Sequence, residues 1–387
     1  MGRKLRVGFA EIDDACSHSS WSGIPFSILQ ALRRNPDVEV ELISPLKTAV
    51  RWKFAPWRLR CRLAGEKYDW RREEGSLRSF ATQIETIFRK KKLDAIFSPS
   101  SIPLARLDRS IPSVFWTDAL FHTMDGYYPF NWCERTRKAA RRQEEAALDR
   151  CAFACYASHW AADAARQFTS PERVKVLPFG ANFRIEHGRD EVYALIRERS
   201  QTSPRECTLL FVGVDWQRKG GRVAVEAARQ LNEAGIRTRL RVVGQPPTSP
   251  VPDYVEVVGF LDKNNPENYN RLTEIYRTSD IFILPSRAEC FGCVVPEAGA
   301  FGLPALVCDT GGLADTVVNG ASGFSLPMED DGTLFARKAM TILDSYEFFA
   351  KCAYAEFKDR MNWDTSVALL VELLKQAAGR QAVLESR

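Results

Sequence analysis

The chain has 387 residues, 45% hydrophobic and 27% charged, with 54 Lys+Arg against 49 Asp+Glu and a net charge of +5. That apolar share builds real cores and excludes a disordered chain, and at roughly 150 residues per domain the length gives two or three domains. A surplus of +5 is mild for a protein that coats nucleic acid, and four His with ten scattered Cys read as reduced thiols without a His-rich metal site.

The start, MGRKLRVGFAEIDD, is basic and then apolar, but its apolar stretch ends at Glu11, too soon for a secretory signal. It reads as a first strand, Leu5–Ala10. Further strand-like runs follow at Val38–Ile43, Ala95–Phe97, Ser113–Trp116, Phe153–Ala157 and Val174–Leu177. After a polar pause over 181–207 a second series begins: Thr208–Val212, Arg239–Val243, Tyr254–Val258, Ile281–Leu284, Ala305–Val307 and Gly323–Leu326. Helical patterns alternate with them at Phe26–Arg34, Arg78–Lys91, Glu134–Arg150, Arg222–Ala234, Asn270–Arg277 and Val295–Ala300. Such alternation predicts α/β architecture with parallel sheets. The pause reads as the crossover between two doubly wound domains, 1–184 and 185–364, with a last helix of about 365–387 returning to the first. Two such domains facing a cleft would bind ligands at their strand ends, where open α/β sheets do so. No apolar run approaches the roughly 18–20 residues of a membrane-spanning helix, so the expectation is a soluble, cytoplasmic protein.

Three segments carry chemistry. Phe211-Val212-Gly213-Val214-Asp215-Trp216-Gln217-Arg218-Lys219-Gly220-Gly221 is a strand ending in glycine, a loop with adjacent cations, and a glycine pair opening a helix. A helix amino end suits phosphate, and Arg218 and Lys219 beside it can neutralise a diphosphate leaving group. Neither G-x-G-x-x-G nor a P-loop occurs at the first turns, which disfavours an NAD enzyme or a P-loop NTPase. The amino-terminal turn instead carries Gly23 and Pro25, a weaker signal for close backbone approach. The strongest segment runs from Pro285 to Ala298. Glu289 lies in the loop after a strand, where the amides of Cys290, Phe291 and Gly292 can meet a polyhydroxylated or phosphorylated ligand. Glu297 stands at the next helix start and can accept both hydroxyls of a ribose, or simply favour the helix dipole. Cys290 and Cys293 have C-x-x-C spacing, but no second pair or His completes four ligands, so no metal is expected.

These motifs resemble the retaining glycosyltransferases of GT-B fold, the large group that includes sucrose synthases and phosphatidylinositol mannosyltransferases. Glu289 and Glu297 match that family's E-x7-E pair, and Arg218 and Lys219 match its cations before a glycine. Val176-Leu177-Pro178-Phe179-Gly180-Ala181-Asn182 resembles its I-P-N-G-V-D boundary, with Phe179 and Asn182 departing, and Asn362-Trp363-Asp364 resembles its Ser-Trp-Glu. The resemblance is most specific over 208–326 and nearly absent over 44–92. It implies two Rossmann-like domains and a nucleotide-diphosphate sugar, UDP by family frequency, bound in the second. Ribose would lie on Glu297, diphosphate on Arg218 and Lys219 beside Gly213, and the base near Phe260 and Leu261. Sugar hydroxyls would meet Glu289 and the amides of Cys290–Gly292. Transfer to a lipid, saccharide or other hydroxyl would retain configuration and need no metal or other cofactor. In the first domain His122 is the best match to the family's donor-contacting histidine, with Asp118 its rival. A sugar-nucleotide epimerase of similar fold, or an inactive binding protein, are the competing functions.

The stretch 51–72 interleaves cations with Trp52, Phe54, Trp57, Tyr68 and Trp70. It suits an anionic membrane surface, on the inner face of which the protein would be peripheral, or equally a solvated helix with its rings turned inward. A nucleic acid could use the same residues, but none is expected as a partner.

Overall fold

The computed structural model describes residues 3–18, 20–48, 51–201, 206–247 and 250–385. The chain forms two compact units, Met1–Pro178 with Trp363–Arg387, and Phe179–Asn362.

In the first unit the order is β1 (Leu5–Ala10), α1 (Ile24–Arg34), β2 (Val38–Ile43), α2 (Ala55–Leu63), α3 (Glu74–Lys91), β3 (Ala95–Ser98) and β4 (Ser113–Thr117). Then come α4 (Phe121–Met124), α5 (Glu134–Arg150), β5 (Phe153–Tyr156), α6 (His159–Ala165) and β6 (Val174–Val176). The strands make one parallel sheet in the order β2-β1-β3-β4-β5-β6, with Leu5 opposite Val38 and Thr117 opposite Tyr156. Strands β3 and β5 are buried along their whole length, as parallel strands covered on both faces should be. Helix α1 starts at Gly23, whose φ of 80° suits glycine, and buries Ile24, Ile28, Leu29 and Leu32 at helical spacing.

The second unit contains α7 (Arg189–Gln201), β7 (Glu206–Gly213), α8 (Gly221–Glu233), β8 (Arg237–Gly244), β9 (Val255–Gly259) and α9 (Pro266–Arg277). It continues with β10 (Ile281–Leu284), α10 (Val294–Ala300), β11 (Ala305–Cys308), β12 (Gly323–Leu326), α11 (Thr333–Asp344) and α12 (Tyr346–Asp359). Its parallel sheet runs β12-β11-β10-β7-β8-β9. The order reverses between β7 and β10, so the loops leaving these neighbours diverge and open a crevice at their carboxyl ends.

Helix α13 (Trp363–Glu385) belongs to the first unit. It buries Val367, Leu370, Val371 and Leu374, sets Trp363 edge-on to Trp116 at 5.7 Å, and donates from Ser366 Oγ to Pro178 O at 2.6 Å. The first boundary falls before Phe179 rather than near 184. Phe179 packs on Phe291, and Phe183 stacks on Tyr269 at 4.6 Å, so this stretch is part of the second core. The polar pause is not featureless either. Val192 and Ile196, one helical turn apart and fully buried, seat α7 on that core.

Candidate active site

The loop between β7 and α8 and the loop between β10 and α10 flank the crevice of the second unit, and they are bonded to each other. Arg287 N–H donates to Arg218 O at 2.7 Å, and Arg218 Nη1 donates to Ala288 O at 2.7 Å. Gly220, the residue before α8, has φ 76°, and a Cβ there would sit 1.9 Å from Pro285 O. Only glycine lets the two loops approach this closely. Gly213 does the same for a side chain, since a Cβ on it would lie 3.0 Å from Lys219 Cγ. At Gly292, with φ 86°, a Cβ would meet Leu313 Cδ1 at 2.7 Å.

The chemistry-bearing groups meet in this frame. Lys219 Nζ donates to Glu289 Oε2, and Arg218 Nη1 lies 3.4 Å from the same oxygen. The side chains of Arg218, Lys219 and Glu289 are 20%, 10% and 13% exposed, so the cluster is largely out of water but not sealed. Arg218 Nε also reaches Asp215 Oδ2 at 3.3 Å. Helix α8 begins beside these cations with no side-chain cap and no acid in its first turn, its Gly221 and Val223 N–H groups donating to Trp216 O at 3.0 Å and Gly220 O at 2.9 Å, and the positive end of its dipole lies on the side of the cations. Cys290 and Phe291 are 4% and 2% exposed, so what this loop offers a ligand is mainly backbone.

Glu297, 1% exposed, is anchored from two sides. Lys263 Nζ donates to Oε1 at 2.5 Å and Tyr276 Oη to Oε2 at 3.0 Å. Burial, with the neighbouring carboxylate second, pushes the Tyr276 phenol well above its ordinary range, so it remains a donor. Each Glu297 oxygen has a second lone pair for another donor. Of the residues expected near a base, Phe260 is 67% exposed and Leu261 is buried, both just past β9.

In the first unit, Gly23 stands at the amino end of α1 and Asp118 just beyond β4, half-buried. His122 Nδ1 is buried without a hydrogen bond, 3.5 Å from Glu144 Oε2, and the ring lies 4.5 Å from that of Phe168.

Lys263 and Glu11 are site-grade groups that the sequence did not single out. Lys263 lies in a run of Asp and Asn, and only the fold brings it to Glu297. Glu11, 6% exposed, leaves β1 where the first sheet reverses, and its Oε1 accepts the Ile12 and Asp13 N–H groups at 2.7 and 3.1 Å. Burial pushes its carboxyl up to about 7 despite those bonds. The available signal was an acid ending an apolar strand.

A recess of about 800 Å³ opens at the amino ends of β7 and β8. Its cations Arg237 and Arg277 are paired with Glu206 and Glu191, and it lies at the opposite end of the strands from the crevice.

Residues 193–359 match the family model described as glycosyl transferases group 1. A D-inositol 3-phosphate glycosyltransferase of Nocardia farcinica is 35% identical over 166 residues, 39% of this chain and 36% of that protein. One from Geodermatophilus obscurus is 29% identical over 244 residues, 58% of this chain and 53% of that protein. The chain thus spans between a third and about half of the length of these curated relatives. Among solved structures, sucrose-phosphate synthase from Thermosynechococcus elongatus superposes with a TM-score of 0.63 at 18% identity, covering 97% of this chain and 99% of that one. Anabaena HepE in complex with UDP gives 0.64 at 15% identity, covering 96% and 100%. At that identity the likeness is one of fold. The chain has the two Rossmann-like domains of the GT-B fold, and its residues 193–359 match the model of the glycosyl transferases group 1.

Proposed function

We propose that the protein transfers a sugar, with retention of configuration, from a nucleotide-diphosphate sugar to a hydroxyl acceptor. The observation that carries this reading is the cluster of Arg218, Lys219 and Glu289 beside the start of α8, which has no side-chain cap, at the reversal point of the second sheet. Two cations and a helix amino end stabilise negative charge as it develops on a departing diphosphate. The bond between the anomeric carbon and the phosphate oxygen breaks, its electron pair passing to that oxygen. The acceptor oxygen attacks from the same face, and its proton passes to the departing phosphate. With Lys219 and Arg218 holding the charge, the step calls for no catalytic metal. Glu289 then exchanges its cation contacts for the sugar hydroxyls, and Glu297, with Lys263, takes the ribose. His122 and Asp118 are the first unit's candidates for the sugar's far side.

UDP is the proposed carrier; it is also the ligand of the Anabaena neighbour. The acceptor class is a lipid, saccharide or phosphorylated polyol, the last suggested by the names of the curated relatives. A thermal-shift screen of UDP-, GDP- and ADP-sugars tests the donor. Stabilisation by none of them refutes the reading, and UDP-sugars are expected to shift the melt most. An epimerase would convert the sugar nucleotide without an acceptor, and a scaffold would leave it intact.

Among the described residues no helix is long and apolar enough to cross a membrane. Peripheral contact is the proposed use of α2 and the turn before it, where Trp52, Leu59 and Leu63 are 71%, 60% and 81% exposed among Lys53, Arg58, Arg60 and Arg62. Sedimentation with anionic liposomes at low salt tests it, and absence of binding refutes it.

A further inference from the structure

Helix α2 poses a packing problem. It has nine residues, and of these only Cys61 is buried. A helix this short does not hold itself in water, so its anchorage must come from tertiary contacts. Arg135 lies over the Trp57 ring at 4.6 Å, and Cys61 itself faces Cys133.

The surroundings of these cysteines are built. Sulfurs of Cys61 and Cys133 and a carboxylate oxygen of Glu66 all lie within 4.8 Å of one another, the one such group of three among the described residues. Both cysteines are 4% exposed, while Glu66 is half-buried at the rim. Backbone bonds fix all three. Glu66 N–H donates to Cys61 O at 2.8 Å, closing the turn after α2, and Cys133 N–H donates to Lys67 O at 3.0 Å, tying that turn to α5. Asn131 Nδ2 adds a bond to Gly65 O at 3.0 Å.

Cys133 is the N-cap of the 17-residue α5, where the helix dipole stabilises negative charge. Thr136 Oγ1, 1% exposed, lies 3.3 Å from Cys133 Sγ and accepts the Asp69 N–H at 3.1 Å. Either atom of the Thr136–Cys133 pair can donate, so the hydroxyl is placed to give a metal-bound thiolate its outer-shell hydrogen bond.

We propose that Cys61, Cys133 and Glu66 bind a zinc-class divalent ion that pins α2 to the start of α5. Two thiolates with one carboxylate suit zinc better than harder or monovalent ions. Around a tetrahedral zinc such ligand atoms stand roughly 3.5–3.8 Å apart, so the group needs only a small contraction, and water fills the fourth position. Binding releases the two S–H protons to solvent and involves no change of oxidation state. The site is structural, and none of its ligands is a residue proposed for the sugar chemistry. Sequence inspection passes over it because the ligands come from positions 61, 66 and 133, without paired spacing.

The test is titration of the whole chain, reduced and stripped by a chelator, with Co²⁺, read by absorption. One Co²⁺ per chain is expected, with a thiolate-to-cobalt charge-transfer band and tetrahedral d–d bands that zinc abolishes. Cys61→Ser and Cys133→Ser should each lose the charge-transfer band at stoichiometric Co²⁺, and Glu66→Gln should weaken binding while keeping it. Cys352→Ser should change nothing, and circular dichroism confirms that each variant is folded. Zinc should also slow amide exchange across α2 in the parent chain. A band that survives in the folded Cys61→Ser chain, no stoichiometric binding, or a Cys61–Cys133 disulfide in place of binding would each overturn the proposal.

Discussion

The ion pair at the crevice makes an asymmetric prediction about stability. Replacing Lys219 by Met keeps the stem against Gly213 and removes the charge, yet Glu289 still has Arg218 Nη1 at 3.4 Å. Replacing Glu289 by Leu leaves two cations facing each other with side chains only 10% and 20% exposed. Breaking a buried pair by removing one partner costs about 3–5 kcal/mol when the stranded charge finds no substitute. Lys219→Met should therefore cost less, about 1–3 kcal/mol, and Glu289→Leu the full amount. In the double variant Arg218 keeps Asp215 at 3.3 Å and Ala288 O at 2.7 Å and no longer faces a second cation, so it should cost no more than Glu289→Leu by itself. Native-state hydrogen exchange of peptides covering β7 and β10 in the whole chain reads these costs locally, at about 1.4 kcal/mol per tenfold change in rate. A double variant whose cost equals the sum of the singles would show that the charges do not interact.

Further expectations concern neighbouring groups. Glu289→Gln removes the carboxylate that occupies Lys219, so UDP should bind several-fold more tightly by calorimetry while turnover falls; weaker binding would contradict the competition. With Glu11 near 7 when folded and in the usual carboxylate range when unfolded, the folded chain holds that proton more tightly. Its contribution is full in acid and is lost as pH rises through about 7, by about 3 kcal/mol in all. Glu11→Gln keeps the acceptor oxygen, so it should remove this slope and melt above the parent at roughly pH 8; an unchanged slope refutes the burial argument. Gly220→Ala pairs a φ of 76° with a backbone contact at 1.9 Å, whereas Gly235→Ala has a φ of 82° and open space. The second should cost about 1–2 kcal/mol and the first clearly more, by thermal melts. Equal costs would mean that the loops do not constrain each other.

Strands β3, β5, β10 and β11 are legible because parallel strands buried on both faces are continuous apolar runs, and the runs read for β1, β2, β10 and β12 end where those strands do. The helix over 189–201 was hidden, since Val192 and Ile196 are a faint stripe among Arg and Glu. At the crevice, Arg218, Lys219 and Glu289 could be picked out because each sits in a loop leaving an apolar strand, beside glycines that close packing requires. Lys263 could not, as its relation to Glu297 exists only once β9 and α10 are in place. The stretch 51–72 was ambiguous for a physical reason. Trp70 turns to Phe80 while Trp52 faces water, so neither an inward nor an outward reading describes every ring.

The most direct measurement of the account is proton NMR of a reaction between a UDP-sugar and an alcohol or polyol acceptor, in chelator, with the parent chain beside Lys219→Met. The product should carry an anomeric proton of the donor's configuration, formed by the parent without divalent ions and lost in the folded variant. An inverted product, transfer that requires an added metal, or full turnover by Lys219→Met would contradict this expectation.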